Sequence, residues 1–488
     1  MKKKENEKSE GRAILNISLP PPRKIFSFVF VSVFCLIFYL SIKGTWDFQR
    51  LARKGALFSG DEPKYLRMVE SLAKYGQFDI SRIVLTPEEK EAVKKKAEQL
   101  GPHRWGDLYV IGIHGGIYCL HMPGFPLLIL PSYKLDSIIF PNDPKKASGR
   151  LKFLPQKLAL TRLWLLGISL LSFILLFRLL DRLFFSLILK AVLFMLFILN
   201  SPFSDYSFRF YPDVVATFFC LLALNAIFYP FYERRANDFF LVCGIGFLPW
   251  FHQRFIPLSL GLFLALLFFR KRANISFKRI AAIILLLALV SLPYFYYFYH
   301  ITGNPSPLSI SRAHGEVYAR LNTLSLGFFG NLFSRTMGIV WAYPWVILFF
   351  FGTYLGWKKD RIRALSLLTI FIPYYLMCSA GIPWSGVTLP PGRFLMPLFP
   401  IFLIFGGMAI HNLIRDYSHL KLIFYVAYFS LILLNKLLWY INFNFTYSHI
   451  TAEDLVWIIK SIGLILFMYG SLIIAEKFVF LKKLSPKD

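Results

Sequence analysis

The sequence predicts an all-α polytopic membrane protein. Hydrophobic residues make up 56% of its 488 positions, whereas Asp, Glu, Lys and Arg together make up only 17%. A soluble domain carries about a quarter charged residues. Long apolar runs also recur along the chain at fairly even spacing, which is the pattern of helices that cross a bilayer one after another.

The first apolar run covers residues 25–42 and follows the basic segment MKKKENEKSEGR. No small-residue cleavage site follows this run, so we predict a retained signal anchor and not a signal peptide that is removed. Residues 1–24 are then a cytoplasmic N-terminal tail.

A helix needs roughly 20 apolar residues to cross the hydrocarbon core, and by that criterion we expect ~12 transmembrane helices. The predicted spans are 25–42, 158–178, 187–203, 213–231, 239–253, 256–270, 279–299, 339–357, 364–380, 394–412, 420–440 and 455–476. The run 123–140 contains three prolines. Because proline kinks a helix, we predict a surface or partly re-entrant segment there and not a span.

The basic residues set the predicted orientation. A net charge of +28 would suggest nucleic-acid binding in a soluble protein. Here Lys and Arg cluster in short segments between apolar runs, which is the positive-inside pattern. With 123–140 left out of the spans, every segment on the side of the N-terminus carries Lys or Arg. We therefore predict a multi-pass membrane protein with both termini cytoplasmic and no nucleic-acid partner.

The largest predicted extracytoplasmic segment is the first loop, 43–157. Within it, TPEEKEAVKKKAEQLG most simply forms a solvated helix that ends at Gly101. No soluble domain of ordinary size is evident, so any chemistry must lie in the outer loops and at the outer helix ends. The predicted organisation is the tail 1–24, a transmembrane module 25–412, and C-terminal helices with a cytoplasmic tail at 413–488.

Two adjacent carboxylates, Asp61 and Glu62, lie in the stretch LFSGDEPKYLRMVE just after the first span. Ser59 and Glu62 fit the capping box S-x-x-E, and acidic residues suit a helix N-terminus. The pair would also suit an acid–base centre. Neighbours on a helix point about 100° apart, so Glu62 could cap the helix while Asp61 faces a cleft.

A third acid and several basic residues are predicted on the same outer side. In FRFYPDVVATFFCLLAL, Asp213 opens a span, either as a first-turn helix acid or as an ionisable group facing the protein interior. A single arginine at such a place is often a snorkelling anchor, but several together would suit an anionic phosphate. The basic candidates are His121, His252, Arg254, Arg335 and Arg393.

Metal and cofactor signals are weak. The carboxylates of Asp61, Glu62 and Asp213 could hold a divalent cation through oxygen atoms, but no HExxH motif and no helical histidine pair occurs. No glycine-rich nucleotide loop is present either. The five cysteines form no CxxC pair and lie mostly in apolar runs, as small buried residues do.

The order of these motifs over residues 25–410 resembles the GT-C superfamily of integral-membrane glycosyltransferases, in the branch of the protein O-mannosyltransferases and the ArnT-like lipid A aminoarabinose transferases. GDEPKYL resembles the acidic motif of the first loop, and FYPDVVATFFCLLAL resembles the Pro-Asp start of a later span. The other similar segments are GGIYCLHMPGFPLLILP, LALTRLWLLGISLL, GNLFSRTMGIVWAYPWVILFFFG and PPGRFLMPLFPIF.

The resemblance implies a GT-C fold whose long first extracytoplasmic loop bears juxtamembrane helices. It also implies inverting transfer of a sugar from a polyprenyl-phosphate-linked donor to a lipid, glycan or protein acceptor, on the extracytoplasmic face of a bacterial inner membrane. Asp61 matches the residue that deprotonates the acceptor, with Glu62 as its acceptor-binding neighbour. Arg254 and Arg393 match the basic residues that bind the donor phosphate.

Further site residues are expected from the same resemblance. His121 and Arg335 are predicted near the phosphate, and Asp213, His252 and Tyr65 are predicted to bind substrate. The family commonly has Lys-Pro-Pro where this sequence has His121-Met-Pro. Histidine is only partly charged near neutral pH, so its role in binding phosphate would differ from that of lysine.

Two other classes of protein share some of these features. A multi-pass secondary transporter or flippase of an anionic or lipid-linked substrate would also have many spans and intramembrane charges. It predicts internal repeats and acids near the middle of the membrane, whereas the acids here collect at predicted outer ends. A scaffold protein that has kept the fold without activity would usually lack Asp61.

Overall fold

A computed structural model of the chain describes residues 61–105, 108–142, 154–184, 186–199, 201–228, 234–269, 276–315, 320–334, 337–381 and 391–416. All of them belong to one unit, Asp47–Asp488. The predicted spans 25–42, 420–440 and 455–476 lie outside the described residues, as do Ser59 and Arg335.

Three helices open the described part of the chain. Helix α1, Glu62–Tyr75, ends at Gly76, whose φ of 68° favours glycine. Helix α2, Ser81–Val84, is a single turn. Helix α3, Pro87–Leu100, begins with a capping box between Thr86 and Glu89 and ends at Gly101. Helix α3 is largely exposed, which confirms the predicted solvated helix.

A small antiparallel sheet follows that the sequence did not predict. Its strands are β1, His103–Arg104, β2, Tyr109–Ile111, and β3, Ile117–Cys119, in the order β1-β2-β3. His103 lies opposite Ile111, and Tyr109 lies opposite Cys119. Strands of two or three residues are too short to show an alternating pattern. The Asp79 carboxylate anchors the sheet to α2 by accepting hydrogen bonds from the Ile117 and Ser81 amides, both at 2.9 Å.

Helix α4, Gly124–Ile139, runs without a break through Pro131. Its 16 residues span about 24 Å, less than the ~30 Å of a bilayer core. Helix α5, Ala159–Leu183, follows, and a side chain of α4 caps its N-terminus. The buried Asp136 carboxylate accepts hydrogen bonds from the Leu160 amide at 2.9 Å and from the Thr161 amide at 2.8 Å.

The next helices form the apolar bundle. They are α6, Leu187–Leu199, α7, Phe203–Tyr206, α8, Pro212–Phe228, α9, Arg234–Gly246, α10, Leu248–Phe251, α11, Ile256–Phe269, and α12, Phe277–Thr302. Among the described residues, four helices are long and apolar enough to cross a membrane: Ala159–Leu183, Phe277–Thr302, Arg361–Ala380 and Met396–Leu413. Shorter apolar helices lie between them.

The remaining helices complete the bundle. They are α13, Ser309–His314, α14, Leu321–Phe333, α15, Ile339–Ala342, α16, Leu348–Lys359, α17, Arg361–Ala380, and α18, Phe399–Asp416. The predicted span 339–357 is not one continuous helix, since a 3₁₀ turn at Pro344–Ile347 separates α15 from α16. Tyr343 leaves the helical region with φ −137° and ψ 73° because the following proline disfavours helical geometry.

Helix α8 is the centre of the bundle. It packs against α5, α9 and α11, and against the 3₁₀ turn Met396–Leu398 that leads into α18. Nearly all of its side chains are buried. Helices α11 and α17 approach closely at Gly261, where an added Cβ would lie 2.7 Å from the Thr369 carbonyl oxygen. Such close packing at a small residue is typical of helices in membranes.

Candidate active site

An ionic cluster of two carboxylates and two guanidinium groups forms at the N-terminal end of α8. Pro212 is the first residue of α8, and Asp213 lies in its first turn, fully buried. Proline is well suited to this position because its fixed φ fits a helix and its missing amide proton is not needed there. The Asp213 carboxylate accepts from Nη2 of Arg254 through one oxygen, and from Nε of Arg393 at 3.0 Å through the other.

Arg393 joins the two halves of the cluster. It lies in the turn that precedes the Met396–Leu398 segment, directly after Gly392, whose φ of 82° favours glycine. Besides its bond to Asp213, its Nη2 donates to Oδ2 of Asp61 at 2.9 Å. Its guanidinium also lies 3.8 Å from the centre of the Tyr211 ring. Burial acts to lower the pKa of Arg393, but Asp213 and Asp61 raise it well above its usual value.

Asp61 is the most exposed member of the cluster, with 27% of its side chain accessible. It occupies the position before α1 but makes no capping hydrogen bond with its side chain. Its carboxylate instead faces Arg393, Nε2 of His121 at 3.3 Å and Nζ of Lys64 at 3.9 Å. Burial raises the pKa of Asp61, but His121 and Arg393 outweigh it and hold that pKa well below its ordinary value.

His121 and Tyr65 form a buried wall beside Asp61. His121 follows strand β3, and Tyr65 lies one helical turn after Asp61 in α1. Their rings meet edge to face with centroids 4.7 Å apart. Burial and the neighbouring Asp61 carboxylate raise the pKa of Tyr65 well above its usual value, so its hydroxyl stays protonated.

His252 and Arg254 lie on a tight turn between α10 and α11. The 3₁₀ turn Gln253–Phe255 begins after His252, whose Nδ1 accepts a hydrogen bond from the Arg254 amide at 3.2 Å. The Arg254 guanidinium lies 3.9 Å from the centre of the Phe394 ring. The start of α4, three residues after His121, and helix α10, which precedes His252, approach closely at Gly124, where an added Cβ would lie 2.6 Å from the Trp250 carbonyl oxygen.

Glu62 points to a different partner from Asp61. Its side chain is 4% exposed, and Oε1 accepts a hydrogen bond from the Phe210 amide at 2.9 Å. Phe210 lies three residues before Asp213, so Glu62 ties the start of α1 to the turn that leads into α8. Ser59, the other half of the predicted capping box, is not among the described residues.

The structure therefore brings Asp61, Asp213, Arg254, Arg393 and His121 into one connected cluster, with Tyr65 and His252 against it. Arg335 lies outside the described residues. The roles in catalysis and binding that the sequence predicts for all of these residues stay predictions.

Sequence reasoning missed three neighbours of the cluster. The aromatic faces of Tyr211 and Phe394 lie beside the guanidinium groups, and Lys64 flanks Asp61. Tyr211 and Phe394 directly neighbour Pro212 and Arg393 in the sequence, which was the only available signal. In a chain with 53 phenylalanines, such a signal is weak.

The donor set does not fit a divalent cation. The Asp61 and Asp213 carboxylates both face the Arg393 guanidinium, and Glu62 faces the turn before α8. Within the described residues, no three His, Cys, Asp or Glu side chains converge as a metal site. A cation bound between Asp61 and Asp213 would have to displace an arginine and would meet its positive charge. The cluster is instead suited to exchange one anion for another around fixed guanidinium groups.

Comparison with known proteins gives a match in structure only. No protein-family model matches the chain, and no curated protein matches it. The crystal structure of ArnT from Cupriavidus metallidurans in the apo state matches with a TM-score of 0.50 and 15% identity, over 83% of this chain and 63% of the ArnT chain. A second structure of the same ArnT, bound to undecaprenyl phosphate, matches with a TM-score of 0.48 and 14% identity, over 79% of this chain and 60% of that one.

The chain thus spans less than two thirds of the ArnT that it matches. The likeness bears on architecture, and it agrees with the resemblance noted in the sequence motifs. The chain has the all-α polytopic GT-C fold, as in ArnT.

Proposed function

We propose that this protein is an integral-membrane glycosyltransferase that moves a sugar from a polyprenyl-phosphate-linked donor to an acceptor on the extracytoplasmic face of the inner membrane. The observation that carries the proposal is the Asp61–Arg393–Asp213–Arg254 cluster, in which the partly exposed Asp61 carboxylate contacts the buried Arg393 guanidinium and Asp213 links Arg393 to the buried Arg254. The GT-C fold and the sequence motifs support the same class of reaction.

The donor phosphate binds at Arg393 and Arg254 in this proposal. Guanidinium groups bind phosphate oxygens through paired hydrogen bonds, which are strong when water is excluded. Asp213 contacts both arginines and fixes their positions before the donor arrives. Positive charge held in place at the leaving phosphate lowers the barrier because negative charge grows there as the sugar–phosphate bond breaks.

An apolar groove bordered by helices α14, α16, α17 and α18 supports a lipid carrier. The groove has a volume of about 160 Å³ and an entirely apolar lining that includes Phe371, Tyr375 and Phe402. The neighbouring Tyr374 donates its hydroxyl to the Phe394 carbonyl at 2.6 Å, so the groove and the arginines share one packed segment. We propose that part of the polyprenyl tail lies in this groove.

Asp61 acts as the general base in the proposed reaction. It accepts the proton of an acceptor hydroxyl or amine while the acceptor oxygen or nitrogen attacks the anomeric carbon. The bond from that carbon to the phosphate oxygen breaks, and polyprenyl phosphate leaves with the bonding electron pair. A single displacement of this kind inverts the configuration of the sugar. A positioned base contributes roughly 10²–10⁴ in rate.

The lowered pKa of Asp61 makes it a weak base until the donor binds. A phosphodiester at Arg393 would compete with Asp61 for the guanidinium and would add a negative charge nearby. Both effects raise the pKa of a carboxylate. Donor binding would therefore prepare the base for the acceptor, and the base would stay inactive when no donor is present.

Mass spectrometry of lipids and glycans tests the proposal in cells. Deletion of the gene is expected to remove one glycosylated species and to accumulate its unglycosylated form. The wild-type gene should restore the species, and a gene encoding Asp61→Asn should not. An unchanged profile of glycosylated lipids, glycans and proteins after deletion would contradict the proposal.

A further inference from the structure

A polar cavity lies at the end of the bundle opposite the ionic cluster. Its volume is about 360 Å³, within the range of sites that hold small ligands. The last turns of α16 and α18, the first turn of α17 and the residues that end α5 border it. The polar side chains in its lining are Lys359, Asp360, Arg363, His411 and Asn412.

The cavity and the ionic cluster lie at opposite ends of the same two helices. Helix α18 begins at Phe399, shortly after Arg393, and His411 lies about 18 Å further along it. In α17, Arg363 lies in the first turn, whereas Tyr374 contacts the segment that carries Arg393. The cavity is therefore separate from the site proposed for the donor. In the predicted orientation, the segment GWKKDRIR at this end lies on the cytoplasmic side.

Arg363 has a buried donor without a hydrogen-bond partner. Its side chain is 24% exposed, and its Nε lies 3.4 Å from Oδ2 of Asp360 without making a hydrogen bond. Oδ1 of Asp360 accepts from the Arg363 amide at 3.2 Å and so caps α17. Asp360 thus holds Arg363 in place but leaves its Nε unsatisfied. Most buried donors in folded proteins are hydrogen-bonded, so this one has capacity for a ligand.

The lining of the cavity carries net positive charge. Lys359 and Arg363 are positive and only Asp360 is negative, and His411 adds positive charge when it is protonated. Within the described residues, no carboxylate forms an ion pair with Lys359. An anion in the cavity would therefore be attracted by its walls.

A basic side chain at the end of a membrane helix usually extends into the headgroup region and water. Arg361 is such a residue, since it is exposed and its guanidinium lies 4.8 Å from the centre of the Trp357 ring. Arg363 differs because its Nε is buried and its side chain lines a cavity. Basic pockets between helices on the cytoplasmic side of membrane proteins bind the phosphates of anionic lipids.

From this geometry we infer that the cavity is a second binding site, which takes a phosphate group between Arg363 and Lys359. A guanidinium donates paired hydrogen bonds to phosphate oxygens, and an ammonium on a flexible stem adds a second positive charge. The phosphate belongs either to the headgroup of an anionic phospholipid or to a free phosphate ion. The site lies outside the proposed reaction and does not depend on it.

Binding of two probes to the purified full-length protein in neutral detergent tests the inference. The probes are phosphatidylglycerol and inorganic phosphate. Wild-type protein is expected to bind at least one of them, and Arg363→Gln should weaken that binding about tenfold because a charge-assisted hydrogen bond is lost. Binding of phosphatidylglycerol that inorganic phosphate does not displace would identify a lipid headgroup. Binding of inorganic phosphate that depends on Arg363 would identify the free ion.

Arg361→Gln is the matched control, because it removes the same charge from the same helix at a residue that does not line the cavity. It should change the affinity by less than about twofold. Equal losses in Arg361→Gln and Arg363→Gln would overturn the inference, as would unchanged binding in Arg363→Gln or a wild-type protein that binds neither probe. If Arg363→Gln does not fold, Lys359→Gln is compared with Lys358→Gln, whose lysine lies outside the lining, and equal affinities would overturn the inference.

Discussion

Arg393 donates a hydrogen bond to Asp61 at 2.9 Å, although the two residues are 332 positions apart in the chain. The same guanidinium binds Asp213, so one side chain links the start of α1 to the start of α8 and to the turn before α18. A closure of this length has a large entropic cost, and the surrounding packed helices must maintain it. Because Arg393 binds the one partly exposed carboxylate of the cluster, that of Asp61, this hydrogen bond lies at the centre of the proposed site.

Arg393→Lys should weaken binding of polyprenyl phosphate by about 10- to 100-fold, since lysine cannot bridge two carboxylates and a phosphate through a planar fork. Calorimetry or a fluorescence binding assay in detergent would measure the affinity. Arg279→Lys serves as the control. Arg279 on helix α12 forms a comparable ion pair with Asp238 on helix α9, with its Nε 2.6 Å from Oδ1 of Asp238. Equal losses in the two variants would show that the effect is general and that Arg393 has no specific role in binding.

The pH dependence of transfer should differ between the free protein and its donor complex. The pKa of Asp61 is lowered in the free protein, so Asp61 stays charged above about pH 4. The stability that its ion pairs contribute is present above that pH and is lost as the pH falls through the lowered pKa. With donor bound, the phosphate competes for Arg393 and the pKa of Asp61 should rise.

The acid limb of kcat, which reports the complex, should therefore lie at higher pH than any acid limb of kcat/KM for the donor, which reports the free protein. Initial rates between pH 4 and 9 at saturating and limiting donor would separate the two. Coincident acid limbs would mean that donor binding does not alter the pKa of Asp61.

Glu62 and Asp61 should respond differently to removal of their charge. Glu62 is buried, and its carboxylate accepts a hydrogen bond from the Phe210 amide. Glu62→Gln should therefore lower the Tm, while the folded variant should keep its transfer rate within about tenfold of wild type. Asp61→Asn should lower the Tm as well, since it loses the ion pair with Arg393, but folded Asp61→Asn should transfer at least ~100-fold more slowly than wild type. Paired thermal-unfolding and activity measurements decide between the roles. A large loss of activity in well-folded Glu62→Gln would make Glu62 catalytic instead.

Asp136 should matter for stability alone. Its carboxylate accepts from the amides of Leu160 and Thr161 and from the Thr161 hydroxyl at 2.6 Å, so it caps α5 from a neighbouring helix. Asp136→Ala should lower the free energy of unfolding by about 1–2 kcal/mol, the usual effect of removing a cap. Ser137→Ala, which removes a hydroxyl that donates to the Tyr133 carbonyl within its own helix, should have little effect. Equal stability of the two variants would contradict this role for Asp136.

The length of the apolar runs and the glycines and prolines at helix ends made much of the fold predictable. Long apolar runs became α5, α12 and α17, and the charged helix α3 ends at Gly101 as expected. The break between α15 and α16 was missed, although Pro344 marks it, because the apolar run continues on both sides. The sheet was missed because its strands have at most three residues.

The site was predictable where charge stands out against an apolar background. Asp61, Asp213, Arg254 and Arg393 were all identified as candidates, and they contact one another in the structure. The pairing itself could not be read from the sequence, since it joins residues 332 and 180 positions apart.

The most direct test follows an isotopically labelled sugar on polyprenyl phosphate, incubated with purified protein and with membranes from a strain that lacks the gene. Wild-type protein is predicted to move the label from the lipid to an acceptor and to release polyprenyl phosphate. Asp61→Asn should bind the lipid but transfer the label at least ~100-fold more slowly. Transfer by Asp61→Asn at the wild-type rate, or movement of the intact labelled lipid across the bilayer without cleavage, would contradict the account.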